Sequence, residues 1–292
     1  MTTRLKATKK SKAKAAKPRS TRAAMSVATS DKETVKARVA AMAEVPLAVC
    51  ESDKDLQSML SVLRDQAQPI EVRLAALQSL QAATFSVVAF ESCRSDYIAT
   101  LRKVATDPDL EMRQRVLGIL AREKDGFAQR KLLDGLENPD KALVPPEKAL
   151  QLLSYDIHAE AYPVARKIVN NPPNEDAKLE ALRLLAADAK SAPVFEKLLR
   201  DKNEAAEIRQ VSAAALQGLK PEKLQENARE ILLDDSDYDE IKATSLTALT
   251  QFGDKDQVDK DAALKKHVNR ISTKGGAKVK RTARQFISKY GR

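Results

Sequence analysis

The chain has 292 residues and a net charge of +10 at pH 7, with 43% hydrophobic residues, 4% aromatic residues, eight glycines and no tryptophan. Ala, Leu, Lys, Glu, Arg and Gln dominate, which favours helix and excludes a sheet-rich fold built on β-branched runs and glycine turns. No apolar run approaches the roughly 18 residues a membrane span needs, and no short apolar segment follows the basic start, so neither a membrane protein nor a secreted one is expected.

The charge is unevenly spread. Residues 1–30 carry nine Lys/Arg and residues 265–292 carry ten, both without an acid, so an overall +10 leaves −9 on the 234 residues between. This is an acidic body with two basic ends. Residues 1–30 have almost no large apolar side chain and are expected to be a disordered basic arm. Two readings stay open for it: a polyanion-binding arm, or a solubilising tail lying over the acidic body. An organelle-targeting peptide is a third.

Ser30 and Glu33 have capping-box spacing, which predicts a helix to about Ala43 and a cap segment over 31–52. Helical hairpins are expected from there on. Their outer helices fall over 53–65, 95–105, 127–136, 157–169, 192–200, 223–233 and 262–271, and polar turns rich in Pro, Asn and Asp join them to inner helices. The inner helices share a frame: a basic residue, a small residue three later, an aliphatic residue four after that. It reads Arg73-Ala76-Leu80, Arg113-Val116-Leu120, Lys178-Ala181-Leu185, Arg209-Ser212-Leu216, Lys242-Ser245-Leu249 and Lys280-Ala283-Ile287. A further copy, Ala149 and Leu153, has Pro146 at the basic position. Successive small positions lie 31 to 40 residues apart, a period of stacked helical units. The longest gaps predict longer loops near 89–94 and 253–261.

Residues three and four apart share a helix face, so the small and aliphatic positions are packing positions. The basic residues at its edge are expected to form an inter-repeat ladder with Asp65, Asp107, Asp201 and Asp235, a structural role easily misread as a nucleic-acid track.

The segment TDPDLEMRQRVLGIL, residues 106–120, resembles the inner half of a HEAT repeat, with its turn Asp and Pro followed by Met-Arg. IRQVSAAALQGL, residues 208–219, is similar, and Pro163 resembles that family's kinking proline. The resemblance covers about 50–290 and implies an all-α, right-handed α-solenoid of about seven HEAT-like hairpins, over 31–292, ending in a basic repeat at 265–292. It implies little about function, because such arrays serve as scaffolds, transport receptors, bilin lyases and DNA glycosylases. A glycosylase would want groove aromatics to hold an extruded base, which this chain lacks. A lyase finds no motif.

Clusters that carry chemistry are sparse. His158 and His267 lie in different repeats without a Cys or His at ligand spacing, so no metal is expected. Cys50 and Cys93 are read as reduced thiols of a cytoplasmic protein. Asp235, Asp237 and Asp239 mimic the start of a calcium loop, but Glu240 stands where Gly is required and Leu246 where the bidentate Glu belongs. Helix caps and an acidic patch are the expectation there.

On the face opposite the core, the inner helices offer Gln78, Gln114, Gln151, Arg183, Gln210 and Gln217, beside Leu74, Gly118, Leu179 and Ala243. Side-chain amides both donate and accept, which suits an extended peptide. Lys274, Lys278, Lys280, Arg281 and Arg284 crowd the last helix. The reading is therefore a non-enzymatic scaffold, without cofactor, that holds a protein or peptide on a concave surface. The alternative is a nucleic-acid-associated protein that contacts phosphates through its basic ends. An enzyme on such a scaffold, a third class, would need an unpaired carboxylate or cysteine facing a pocket.

Overall fold

The computed structural model describes residues 20–46, 49–156 and 159–291. These form seventeen α-helices and three single 3-10 turns, with no strand among the described residues. The protein is all-α. The chain divides into two compact units, residues 1–112 and 113–292.

The first unit contains α1 (Thr21–Ala28), α2 (Val35–Met42), α3 (Asp53–Arg64), α4 (Ile70–Ala83) and α5 (Val87–Val104). Helix α1 pairs with α2 and α3 with α4, α2 lies beside α4, and α5 packs on α3. Two expectations are corrected here. Residues 21–28 are not disordered: Ser20 caps α1 by accepting the Ala23 N–H, and Ala24, Met25 and Ala28 are buried. Those three small or flexible apolar side chains give α1 one packing face, which composition averaged over 1–30 conceals. Residues 1–19 of the expected arm lie outside the described residues. The cap of α2 is Thr34, whose hydroxyl accepts from the Ala37 N–H at 3.2 Å, and not Ser30, whose hydroxyl closes a local turn with the Lys32 N–H.

Helix α6 (Leu110–Arg122) spans the division between units. The second unit continues with α7 (Gly126–Glu137), α8 (Pro146–Leu153), α9 (Tyr162–Asn170), α10 (Glu175–Leu185), α11 (Ala192–Arg200), α12 (Ala206–Leu219), α13 (Pro221–Leu233), α14 (Asp239–Phe252), α15 (Lys255–Lys260), α16 (Ala262–Lys274) and α17 (Ala277–Tyr290). The hairpins are α7/α8, α9/α10, α11/α12, α13/α14 and α16/α17. Inner helices α8, α10, α12, α14 and α17 touch in series, and outer helices α11, α13 and α16 do likewise. The loops expected near 89–94 and 253–261 are instead helical, within α5 and α15.

The frame is buried as its spacing requires. Ala76, Leu80, Val116, Leu120, Ala149, Leu153, Ala181, Leu185, Ser212, Leu216, Ser245, Leu249 and Ala283 all lie in the interior. Ile287 is half-buried. Each fully buried leucine contributes roughly 1.5–3 kcal/mol. In the last hairpin, the Phe286 and Tyr290 rings pack at a tilt of 50° with centroids 4.9 Å apart, and the Tyr290 hydroxyl donates to the Leu249 carbonyl at 3.0 Å.

Candidate binding surfaces

Which side chains remain available to a ligand depends on which are spent on packing, and the basic positions of the frame are spent most completely. Arg209 is the fourth residue of α12 and is fully buried. Its Nε donates to the Leu199 carbonyl at 2.8 Å, and its two Nη atoms grip the Asp237 carboxylate at 2.8 and 2.7 Å. Arg73, fourth in α4, repeats the arrangement with the Leu63 carbonyl at 3.1 Å and the carboxylate of Asp107. Each arginine ties the end of the outer helix before it to the turn of the unit after it. The fork geometry of guanidinium suits that double grip better than an ammonium does.

Arg38 does the same in α2, a position that the sequence reading does not single out. Its Nε donates to the Ala28 carbonyl at 3.2 Å, and its Nη1 reaches Gln68 at 2.7 Å and Asp31 at 3.2 Å. Its frame, Arg38-Ala41-Val45, is the signal that could have found it.

The expected acids are right for Asp107 and wrong for the rest. Asp65 accepts the Ala67 N–H and the Gln68 amide, and these bonds hold its carboxyl below the ordinary range. Asp201 accepts the Asn203 N–H of its own turn, while Lys178 pairs with Glu204 instead. Lys242 donates to the Asp235 backbone carbonyl at 3.0 Å, and the Asp235 carboxylate goes to Arg270. Arg270 is the main reason that carboxyl titrates low. Arg113 donates to the Leu143 carbonyl at 2.7 Å.

Among the inner-helix residues expected to form a binding floor, Gln78, Gln151 and Arg183 are exposed and Gln114, Gln210 and Gln217 are half-buried. Gly118 and Ala243 are buried and leave the set; a Cβ on Gly118 would sit 3.8 Å from the Leu152 side chain. Arg183 is not free: it pairs with Glu180 and lies 3.6 Å from Glu207.

The starts of α10, α12 and α14 enclose a cleft of about 860 Å³. Glu175, Asp176, Glu204, Glu207, Asp239 and Glu240 line it, with Lys178, Lys202 and Arg209. Those three cations are committed to Glu204, Asp234 and Asp237. All of these acids but Glu204 sit in the first turns of helices, where the macrodipole favours them. The exposed ring of Tyr238 stands at the edge.

The sequence-expected basic cluster is real as a surface. Lys274, Lys278, Arg281 and Arg284 are exposed and Lys280 is half-buried. Lys280, Arg281 and Arg284 border one shallow depression on α17 with Gln285. No ion pair of these five is found among the described residues.

Several features were not anticipated. Cys50 and Cys93, 43 positions apart in the chain, are neighbours: burial, with a hydrogen bond to Cys93, pushes the Cys50 thiol up to about 12. Phe85, before α5, and Val87 and Val88, in its first turn, are exposed, Val88 at 92%. The calcium-like acids do not cap α14, which has no side-chain cap: Asp239 accepts the Gly276 N–H at 2.6 Å and Asp237 holds Arg209. No group of three or more His, Cys, Asp or Glu able to hold a metal occurs among the described residues. His267 is half-buried beside Arg270, and burial and that guanidinium lower its pKa. His158 lies outside the described residues. No described helix is long and apolar enough to cross a membrane.

No protein-family model matches the chain, and no curated protein matches it. Among solved structures it is similar to human deoxyhypusine hydroxylase in complex with glycerol, at 15% identity and a TM-score of 0.35, covering 84% of this chain and 99% of that one. This likeness assigns no activity, substrate or partner here. It does correct one expectation, that of a non-enzymatic protein. The neighbour is an enzyme, so commitment of the periodic residues to packing is no ground for excluding catalysis.

Proposed function

We propose that this protein is a helical-repeat scaffold that holds a basic, extended segment of a partner protein along the starts of α10, α12 and α14. The observation that carries this reading is the cleft there, whose own cations are all engaged while Glu175, Asp176 and Glu240 on the lining have no ion-pair partner among the described residues. Carboxylates arrayed over three consecutive inner helices suit a chain of spaced Lys or Arg side chains, and charge complementarity of this kind sets encounter rate and selectivity. The exposed amides of the inner helices would add backbone contacts.

The test is fluorescence anisotropy with labelled peptides of alternating Lys and Ser, against matched Glu/Ser and Gln/Ser peptides. The basic peptide should bind selectively, and the variant Glu175→Gln/Asp176→Asn/Glu240→Gln should weaken it at least tenfold. Equal binding of all three peptides, or no loss in the triple variant, would overturn the reading.

A second reading has its own observation: the exposed cations of α17 have no acidic partner among the described residues, unlike Arg73, Lys178 and Arg209 of the frame. A polyanion would bind there. Its signature is steep weakening between low and moderate salt, and loss in Lys278→Gln/Arg281→Gln/Arg284→Gln. Truncation should stop at residue 19, because removing α1 would expose the buried face of α2.

A further inference from the structure

Pro146 occupies the frame position that carries Arg38, Arg73 and Arg209 in other inner helices. Those arginines are each the fourth residue of their helix, whereas Pro146 is the first of α8. The Pro145-Pro146 pair explains the missing turn: a residue preceding proline avoids the α region, and the second ring removes an N–H. The side chain that would fill the gap is absent too.

The result is a pocket of about 460 Å³, lined by Leu132, Leu136, Pro146, Ala149, Ile168 and Asn171 among others. Its place matches the arginine niche of the other hairpins. Arg38, Arg73 and Arg209 each donate to a carbonyl ten residues back, at the end of the preceding outer helix. Ten residues before Pro146 is Leu136, in the last turn of α7 and on the wall of the pocket. The C-terminal end of α9 forms another wall through Ile168 and Asn171. Two helix ends of partial negative charge therefore face one cavity with apolar sides. Lys131 contributes to the rim, with its ammonium 5.9 Å over the Phe127 ring one turn back along α7.

We infer that this pocket receives an arginine side chain from a partner chain, which takes the place left by the missing ladder arginine. The apolar walls would cover the three-carbon stem, and the guanidinium would donate to the Leu136 carbonyl and face the two helix ends. The following turn offers Pro173 and Asn174 where the ladder elsewhere has Asp107 or Asp237, so the site lacks a carboxylate and binding of a single residue is expected to be weak. The volume lies within the range of ordinary ligand sites.

The probe is N-acetylarginine methylamide, titrated into the full chain with methyl-labelled Leu, Val and Ile and followed by NMR, against N-acetylleucine methylamide. The arginine probe should give saturable shifts at Leu132, Val144 and Ile168, with at least threefold tighter binding than the leucine probe. Pro146→Arg should fill the niche with the chain's own side chain and abolish those shifts. Its folding is checked from its methyl spectrum; Ala142→Leu, at the exposed mouth, serves as the second variant and should weaken binding. Equal or tighter binding of the leucine probe, absence of saturable shifts, or full binding by both variants would overturn the inference.

Discussion

The starts of α8 and α12 occupy the same place in the repeating frame and have opposite fates. At α12 the frame arginine is sealed in, bonded to one carbonyl behind it and one carboxylate ahead, and nothing of it reaches solvent. At α8 two prolines remove the turn and the arginine, and a cavity takes their place. A buried ion pair and an empty pocket are alternative outcomes of one position. The repeats thus stay continuous at the small and aliphatic residues even where the polar tie is gone, since Ala149 and Leu153 remain buried. Apolar packing continues through α8 without an arginine tie, whereas α4 and α12 have both.

That contrast can be broken from the α12 side. Arg209→Ala leaves the Asp237 carboxylate buried and unpaired, and should cost about 3–5 kcal/mol in urea unfolding of the second unit. Removing both charges with Arg209→Met/Asp237→Asn should recover much of the loss. A double variant no more stable than the single one would mean that packing, not charge, dominates there.

A smaller effect comes from acid. Asp235 and Asp261 titrate below the ordinary carboxylate range: Arg270 is the main cause for Asp235, and for Asp261 burial pushes upward but is outweighed jointly by the bond and charge of Arg229 and the Leu264 and Ala263 N–H groups. Carboxylates with lowered folded-state pKa stabilise above their unfolded value and lose that contribution as pH falls through the folded one. His267, also lowered, disfavours the folded state once the unfolded chain begins to take up its proton, near pH 6.5. Stability should therefore decline gently below about pH 6.5 and steeply below about pH 4, and His267→Gln should flatten only the gentle part. The smallest effect belongs to the solvent-exposed pair Arg200 and Glu230: Arg200→Ala should shift stability by under about 1 kcal/mol, with the difference vanishing at high salt.

Much of the hairpin pattern was legible, because a 3.6-residue period writes the core face directly into the spacing of Ala76 and Leu80 or Ser212 and Leu216. The destinations of the polar groups were less so. A turn aspartate has two uses, and sequence does not say whether it will only close its own turn, as Asp65 and Asp201 do, or also accept an arginine from an earlier helix, as Asp107 does while it closes its turn with the Asp109 N–H. Helix α1 was hidden because its buried residues are only two alanines and a methionine within basic surroundings. The acidic cleft was invisible for a different reason: Glu175, Glu207 and Glu240 lie about one period apart, and each reads singly as an ordinary first-turn acid. The α8 pocket did leave a trace, the one proline in a column of cations.

The ten-residue span from outer-helix carbonyl to inner-helix arginine has a consequence for how such a chain tolerates change in length. A single amino acid inserted within the first turn of α4 or α12, ahead of Arg73 or Arg209, rotates that arginine by about 100° around its helix and detaches the guanidinium from both of its anchors at once, whereas one inserted in the preceding turn is absorbed by the loop. The connection across 138–145 lacks the arginine at its far end, but Arg113 holds it midway by donating to the Leu143 carbonyl. Lengthening should therefore be better tolerated over the exposed residues 138–141, ahead of that anchor, and that short stretch is the natural seam at which to graft a new segment.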